Sequence, residues 1–132
     1  MGFGLTTFLM IALGGGLGSS ARAALSGLVS RHAHPAWGTF VVNVSGGFLI
    51  GVGYALHTAQ GGDIGRGAAP EWEVFALGLL GGYTTVSSFA LQTEELWRAG
   101  AHRAALANAL GSLAACPLAA ALGVLMVRMA GG

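Results

Sequence analysis

The residues best suited to chemistry lie within stretches too apolar to be a water-exposed surface. The run Gly81-Gly82-Tyr83-Thr84-Thr85-Val86-Ser87-Ser88-Phe89 joins two adjacent glycines to β-branched and hydroxylic residues, a composition that continues a helix poorly. A break there leaves free carbonyls at the end of one half-helix and free N–H groups at the start of the next. Carbonyls suit a small cation, and N–H groups suit an anion. The competing explanation is a glycine-rich packing notch. Asn43, on another apolar stretch, carries an amide with two donors. It either faces a permeant ion or ties two helices together. Ser112 offers a hydroxyl donor that can equally bond its own backbone carbonyl. Pro117 removes one backbone donor and frees the carbonyl of Leu113. Cys116, the single cysteine, fits a small packing residue.

One charge falls well inside an apolar stretch. Arg22 lies about 28 Å along a helix from Phe3, near the far interface, where it either snorkels or serves as a vestibule charge that attracts anions. No acidic residue falls deep in any apolar stretch; Glu94 and Glu95 sit beside Trp97 at the end of one. A proton-coupled exchanger needs a buried carboxylate to trade protons for substrate.

These residues need a membrane to position them. Apolar residues make up 54% of the 132, and charged residues only 8%. Soluble domains average about 25% charged residues, so this chain cannot cover its surface with polar groups. Crossing the hydrocarbon layer takes about 20 mostly apolar residues in a helix. Four stretches qualify, at about 3–29, 38–56, 72–97 and 103–128, within a single transmembrane domain spanning 1–132. Trp37, Trp72 and Trp97 fall at their ends, where amphipathic rings belong at headgroup level. The N-terminal stretch lacks the basic region of a signal peptide and reads as a retained first helix. The connections are short, so a water-exposed enzyme site has nowhere to sit. The net charge of +1 is too small for a nucleic-acid partner.

Glycine spacing bears on how the helices pack. Gly14/Gly18, Gly47/Gly51 and Gly78/Gly82 are GxxxG pairs, and Ala107, Gly111, Ala115, Ala119 and Gly123 form a stripe of small residues. Such stripes let backbones approach closely, either within one subunit or between two. Gly14-Gly15-Gly16-Leu17-Gly18 is no dinucleotide fingerprint, because no strand precedes it.

Orientation follows the arginines weakly. The second loop and the C-terminus carry Arg66 and Arg128 on one side; the first and third loops carry Arg31, Arg98 and Arg103 on the other. Two against three predicts insertion both ways round. Inverted copies then meet as an antiparallel dimer, and a partner helps to enclose any conduit.

Together these residues resemble the Fluc (CrcB) family of fluoride channels over essentially the whole chain. The carriers of the resemblance are the Gly-rich first helix ending near Arg22, the segment Gly38-Thr39-x-x-x-Asn43-x-x-Gly46, and the run Gly81-Gly82-x-Thr84-Thr85-x-Ser87-x-Phe89. The resemblance implies an all-α membrane protein with a broken third helix, assembled as an antiparallel dual-topology homodimer with two pores. It also implies a sodium ion on the two-fold axis, held by main-chain carbonyls of Gly81 and Thr84 from both subunits. The pore residues it implies are Asn43, the aromatic positions 86 and 89, and the hydroxyls of Ser87, Ser88 and Ser112. Three positions depart from the family pattern. Val86 replaces the first pore phenylalanine, leaving Phe89; Asn108 stands where a tyrosine is usual, and Cys116 where a serine is. Such departures fit either a retuned pore or one subunit of a heterodimer with a paralogue.

The expected function is passive, fluoride-selective export that lowers cytoplasmic fluoride, without enzymatic activity, from a bacterial inner (plasma) membrane. Two alternatives are a dual-topology small multidrug transporter, which the lack of a buried carboxylate opposes, and a non-transporting membrane assembly or holin-like protein, which has no use for Asn43 and the interrupted helix.

Overall fold

The computed structural model describes residues 4–65 and 68–131. Phe3, the expected start of the first helix, and Arg66, counted among the loop charges, lie outside the described residues. Those described are helical throughout, apart from short connections. In chain order they form α1 (Leu5–Ser30), α2 (Pro35–Ala59), α3 (Pro70–Glu73), a π-helical stretch (Val74–Leu80), α4 (Gly81–Tyr83), α5 (Val86–Arg98) and α6 (His102–Gly131). α3 through α5 act as one apolar span, Pro70–Arg98. With α1, α2 and α6 it makes four helices long and apolar enough to cross a membrane.

Local chemistry explains where the helices begin and end. α2 starts at Pro35, before the expected Gly38, because His34 caps it: its Nδ1 accepts from the Ala36 N–H at 3.2 Å, and Pro35 occupies the first turn, where its missing donor costs nothing. α2 ends as Gly61 takes φ 77°, with Gly62 N–H closing onto the His57 carbonyl at 3.0 Å. The α5–α6 turn uses Gly100 at φ 78°, with Ala101 N–H on the Leu96 carbonyl at 2.9 Å. Trp97 meets His102 edge-on across this turn at 4.3 Å. Trp72 stacks on His57 at 5.2 Å, tying the start of the third span to the end of α2. α6 continues through Pro117.

The packing is inverted relative to a water-soluble bundle. Buried apolar residues are few and mostly small, among them Ala36, Ala55, Ala105 and Ala119, while Leu13, Leu17, Leu113 and Leu118 are each more than 60% exposed. Lipid tails are as apolar as leucine, so close backbone contact rather than leucine burial holds such helices together. The glycine pairs perform this role inside the subunit. A Cβ on Gly18 would collide with the Leu79 carbonyl, and one on Gly82 with the Gly15 backbone, so α1 and the third span meet glycine to glycine. Gly47 and Gly51 face Cys116 and Ala120 of α6, and Gly123 faces Phe48 and Val52 in return. The small stripe on α6 therefore divides. Ala119 and Gly123 are buried against α2, whereas Ala107 is exposed and Gly111 looks onto open space.

Candidate functional site

Helical dihedrals lapse at two residues in the middle of the third span. Thr84 has φ −82°, ψ 159°, and Thr85 has φ −151°, ψ 124°, both extended. In an uninterrupted helix the Thr85 N–H would donate to the Gly81 carbonyl. Here it donates to Asn43 Oδ1 at 2.8 Å, while Asn43 Nδ2 donates to the Thr85 carbonyl, also at 2.8 Å. The orientation of the amide is set by chemistry, since the Thr85 N–H can only donate. Asn43 thus holds both polar groups of one residue, and the Gly81 carbonyl loses the Thr85 N–H as its helical donor. One N–H of the Asn43 amide remains uncommitted.

Neighbouring side chains secure both ends of the interruption. Thr84 N–H and Thr84 Oγ1 each donate to the Leu80 carbonyl at 3.0 Å, closing the preceding turn. Thr85 caps α5: its Oγ1 accepts from the Ser88 N–H at 3.2 Å and lies 3.2 Å from the hydroxyls of Ser87 and Ser88. From α1, Ser19 Oγ donates to the Gly82 carbonyl and Arg22 Nη1 to the Thr84 carbonyl, each at 3.3 Å. Arg22 therefore reaches from α1 to the centre of the third span.

A cavity of about 740 Å³ opens beside the interruption, walled by α2, the third span and α6. It brings together Asn43, Gly81, Thr84, Val86, Phe89 and Ser112. Ser112 is 8% exposed and makes no hydrogen bond with any described residue, so its hydroxyl is not spent on its own helix. Leu113, whose carbonyl Pro117 frees, lines the same wall with Pro117 itself. No acidic or basic side chain is among the lining residues. Ser87 and Ser88 are not among them either; Ser87 is exposed, and the Ser88 hydroxyl is turned to Thr85. Arg22 is also absent from the lining, because α1 packs on the opposite side of the third span.

Four polar residues outside the sequence-derived set belong to this neighbourhood. Thr85 is the partner of Asn43. Thr39, one helical turn before Asn43, is 4% exposed without a hydrogen bond to any described residue. Gln92, three residues beyond Phe89, buries its Oε1 without a donor. Tyr83 bonds Ser45 hydroxyl to hydroxyl at 2.8 Å. Turn-by-turn spacing from Asn43 and Phe89 marks Thr39 and Gln92 in the sequence, whereas the Tyr83 pairing has no local signal. A second, smaller cavity of about 350 Å³ holds Trp37, Phe40 and Asn108, where Asn108 Nδ2 donates to Thr93 Oγ1 at 2.9 Å.

The chain is similar to the "Fluoride-specific ion channel FluC" of Opitutus terrae, 57% identical over 49 residues, covering 36% of this chain and 37% of that protein. It is also similar to the protein of that name from Rhodospirillum rubrum, 48% identical over 48 residues, covering 34% and 36%. A third relative, "Fluoride-specific ion channel FluC 2" of Rhodopseudomonas palustris, is 52% identical over 46 residues, covering 33% and 35%. The chain thus aligns with only about a third of the length of each of these relatives. The sequence family described as "CrcB-like protein, Camphor Resistance (CrcB)" matches residues 9–124. With that match over most of its length, and with four membrane-spanning helices, the chain belongs to the CrcB family.

Proposed function

We propose that the protein is a passive, fluoride-selective channel of the bacterial inner membrane that lowers cytoplasmic fluoride. The observation that carries this reading is the convergence of uncharged donors on one cavity at membrane depth. Asn43 retains one amide N–H, the hydroxyl of the buried Ser112 is free, and Phe89 supplies a ring. Fluoride is small and strongly hydrated, and a dry path must replace its water with donors. A ring edge is electropositive and can face an anion without a fixed charge, which would bind too tightly for rapid release. The cavity's lack of a carboxylate speaks against proton-coupled exchange. The printed names of the three relatives favour the same ion.

The working unit in this proposal is an antiparallel, dual-topology homodimer. The cavity opens onto the protomer surface, with Val86 79% and Leu113 74% exposed at its rim, so a second copy is well placed to close it. The third span acts as a broken membrane helix, with Thr84 and Thr85 as the break. Non-helical backbone at membrane depth needs protein or a lined cavity around it, and both are present.

Sodium fits the donor set at that break. A hard cation takes neutral oxygen ligands. The Gly81 carbonyl is released because Asn43 takes the Thr85 N–H, and the Thr84 carbonyl spends one lone pair on Arg22 and keeps another. Gly81 and Thr84 would hold the ion, which would supply positive charge between subunits. Arg22 then acts by orienting the Thr84 carbonyl.

Liposomes loaded with fluoride or chloride test the function. Purified protein should release fluoride far faster than chloride, because a narrow donor-lined path rejects the larger anion. Equal release of the two would overturn the assignment.

A further inference from the structure

A groove apart from the central cavity runs between the second half of α2 and the start of the third span, enclosing about 350 Å³. Its deep part is apolar, walled by Leu49, Val52, Leu56 and Phe75. The Phe75 ring packs so close to Gly53 that a Cβ there would collide with it. Its mouth is polar. Gln60, just past the last turn of α2, lines it together with Glu71 and Trp72 of α3. His57 holds this mouth in shape: its ring stacks on Trp72 at 5.2 Å, and its Nε2 donates to the Asp63 carbonyl at 3.2 Å.

The dimensions match one leaflet of a bilayer. Leu49 lies 11 residues before Gln60, about 16 Å along α2 at the helical rise. Half of the hydrocarbon layer is about 15 Å. The polar end therefore sits at headgroup level, where Trp72 belongs, and the apolar end approaches the midplane. The charge at the mouth selects among headgroups. Residues 60–74 carry Asp63, Glu71 and Glu73 against a single base, Arg66. Glu71 is exposed and takes no part in the ion pair found among the described residues, which joins Arg98 to Glu94. An anionic headgroup is repelled there. A primary ammonium brings positive charge and three N–H donors, whereas a quaternary ammonium brings the charge alone.

We propose that this groove binds a phospholipid with a primary-amine headgroup, phosphatidylethanolamine. Its ammonium faces Glu71, and its phosphate accepts from the N–H groups of Gln60 and Trp72. One acyl chain lies along Leu56, Val52 and Leu49. The proposal rests on the four membrane-spanning helices and is independent of the ion conducted.

Trp72 reports occupancy directly. With Trp37→Phe and Trp97→Phe it is the sole tryptophan, and bromine on a neighbouring acyl chain quenches its fluorescence at contact. In phosphatidylcholine vesicles, brominated phosphatidylethanolamine should quench Trp72 more than brominated phosphatidylcholine at equal mole fraction. The relative binding constant should be about two- to fivefold higher, the range of an exposed charge pair. Brominated phosphatidylglycerol should quench less than either. Glu71→Gln should bring the ethanolamine and choline lipids to parity, and the exposed position should leave helical content unchanged. Native mass spectrometry of the unsubstituted protein, taken from an equimolar mixture of the two lipids, makes the same comparison should the tryptophan variants fail to fold. It should find the ethanolamine lipid retained in excess, and the excess lost in Glu71→Gln. Equal binding of ethanolamine and choline lipids to the protein with Glu71, as when a second copy covers the groove, would overturn the proposal. So would a preference for phosphatidylglycerol, or an ethanolamine preference that survives Glu71→Gln.

Discussion

Asn43 and Thr85, 42 residues apart in the chain, are joined by two hydrogen bonds of 2.8 Å that run in opposite directions between one side-chain amide and one residue's backbone. The interhelical tie is made by the oxygen and one N–H, and the second N–H makes no hydrogen bond with any described residue. Asn43→Ala should therefore do two things. Leaving a buried backbone donor and acceptor unpaired should destabilise the protein by about 1–3 kcal/mol, read as a lower thermal midpoint of the purified dimer. Fluoride efflux per surviving dimer should also fall at least about tenfold. A destabilised variant with undiminished flux per dimer would confine Asn43 to the tie.

Phe89 lines the cavity half-buried, and Val86 stands exposed at its rim. Phe89→Ala should cut fluoride efflux at least about tenfold while the dimer still purifies, because the ring edge has no substitute there. Val86→Phe should conduct, since the added ring enters open space. Normal efflux from Phe89→Ala would place the ion's route elsewhere.

Sodium at the break is testable without measuring flux. Gly81 and Thr84 carbonyls from two copies should make the dimer more heat-stable in sodium than in an equal concentration of a bulky organic cation. Arg22→Ala should weaken that difference by releasing the Thr84 carbonyl. Identical melting in both salts would argue against a bound cation.

Dual insertion predicts that tags at the C-terminus report both faces of the membrane in similar amounts. Adding arginines to one set of loops should bias the ratio, since short loops orient by their Lys/Arg excess. A single orientation in the unmodified protein would defeat the antiparallel homodimer and favour a paired partner chain.

The two kinds of glycine separate on substitution. Gly18→Ala places a methyl group against the Leu79 carbonyl and the Tyr83 N–H, both rigid backbone, and should abolish recovery of folded protein. Gly111→Ala meets nothing within 4 Å in the protomer and should keep its helical content by circular dichroism. Equal recovery of the two variants would contradict the α1–third-span contact.

What could be read locally was legible in the sequence. Hydropathy located the four spans, because partition into lipid depends on the composition of a stretch and hardly on its partners. Glycine pairs followed by threonines and serines marked positions 81–89 as unable to continue a helix smoothly, for reasons of propensity. The type of Asn43 and Ser112 named them as donors. Helix ends shifted by a few residues, as at Pro35, because capping by His34 depends on a side-chain rotamer and not on hydropathy. Tertiary structure decided which donors are spent. Only the crossing of α2 beside the third span shows that Asn43 takes the Thr85 N–H and so releases the Gly81 carbonyl. Only the packing of α1 brings Arg22 to the Thr84 carbonyl, and only the α2–α6 contact assigns Gly51 and Gly123 to the subunit's interior. A hydrogen bond is a matter of distances and angles between residues far apart in the chain, so residue types can announce a donor while the fold alone selects its acceptor.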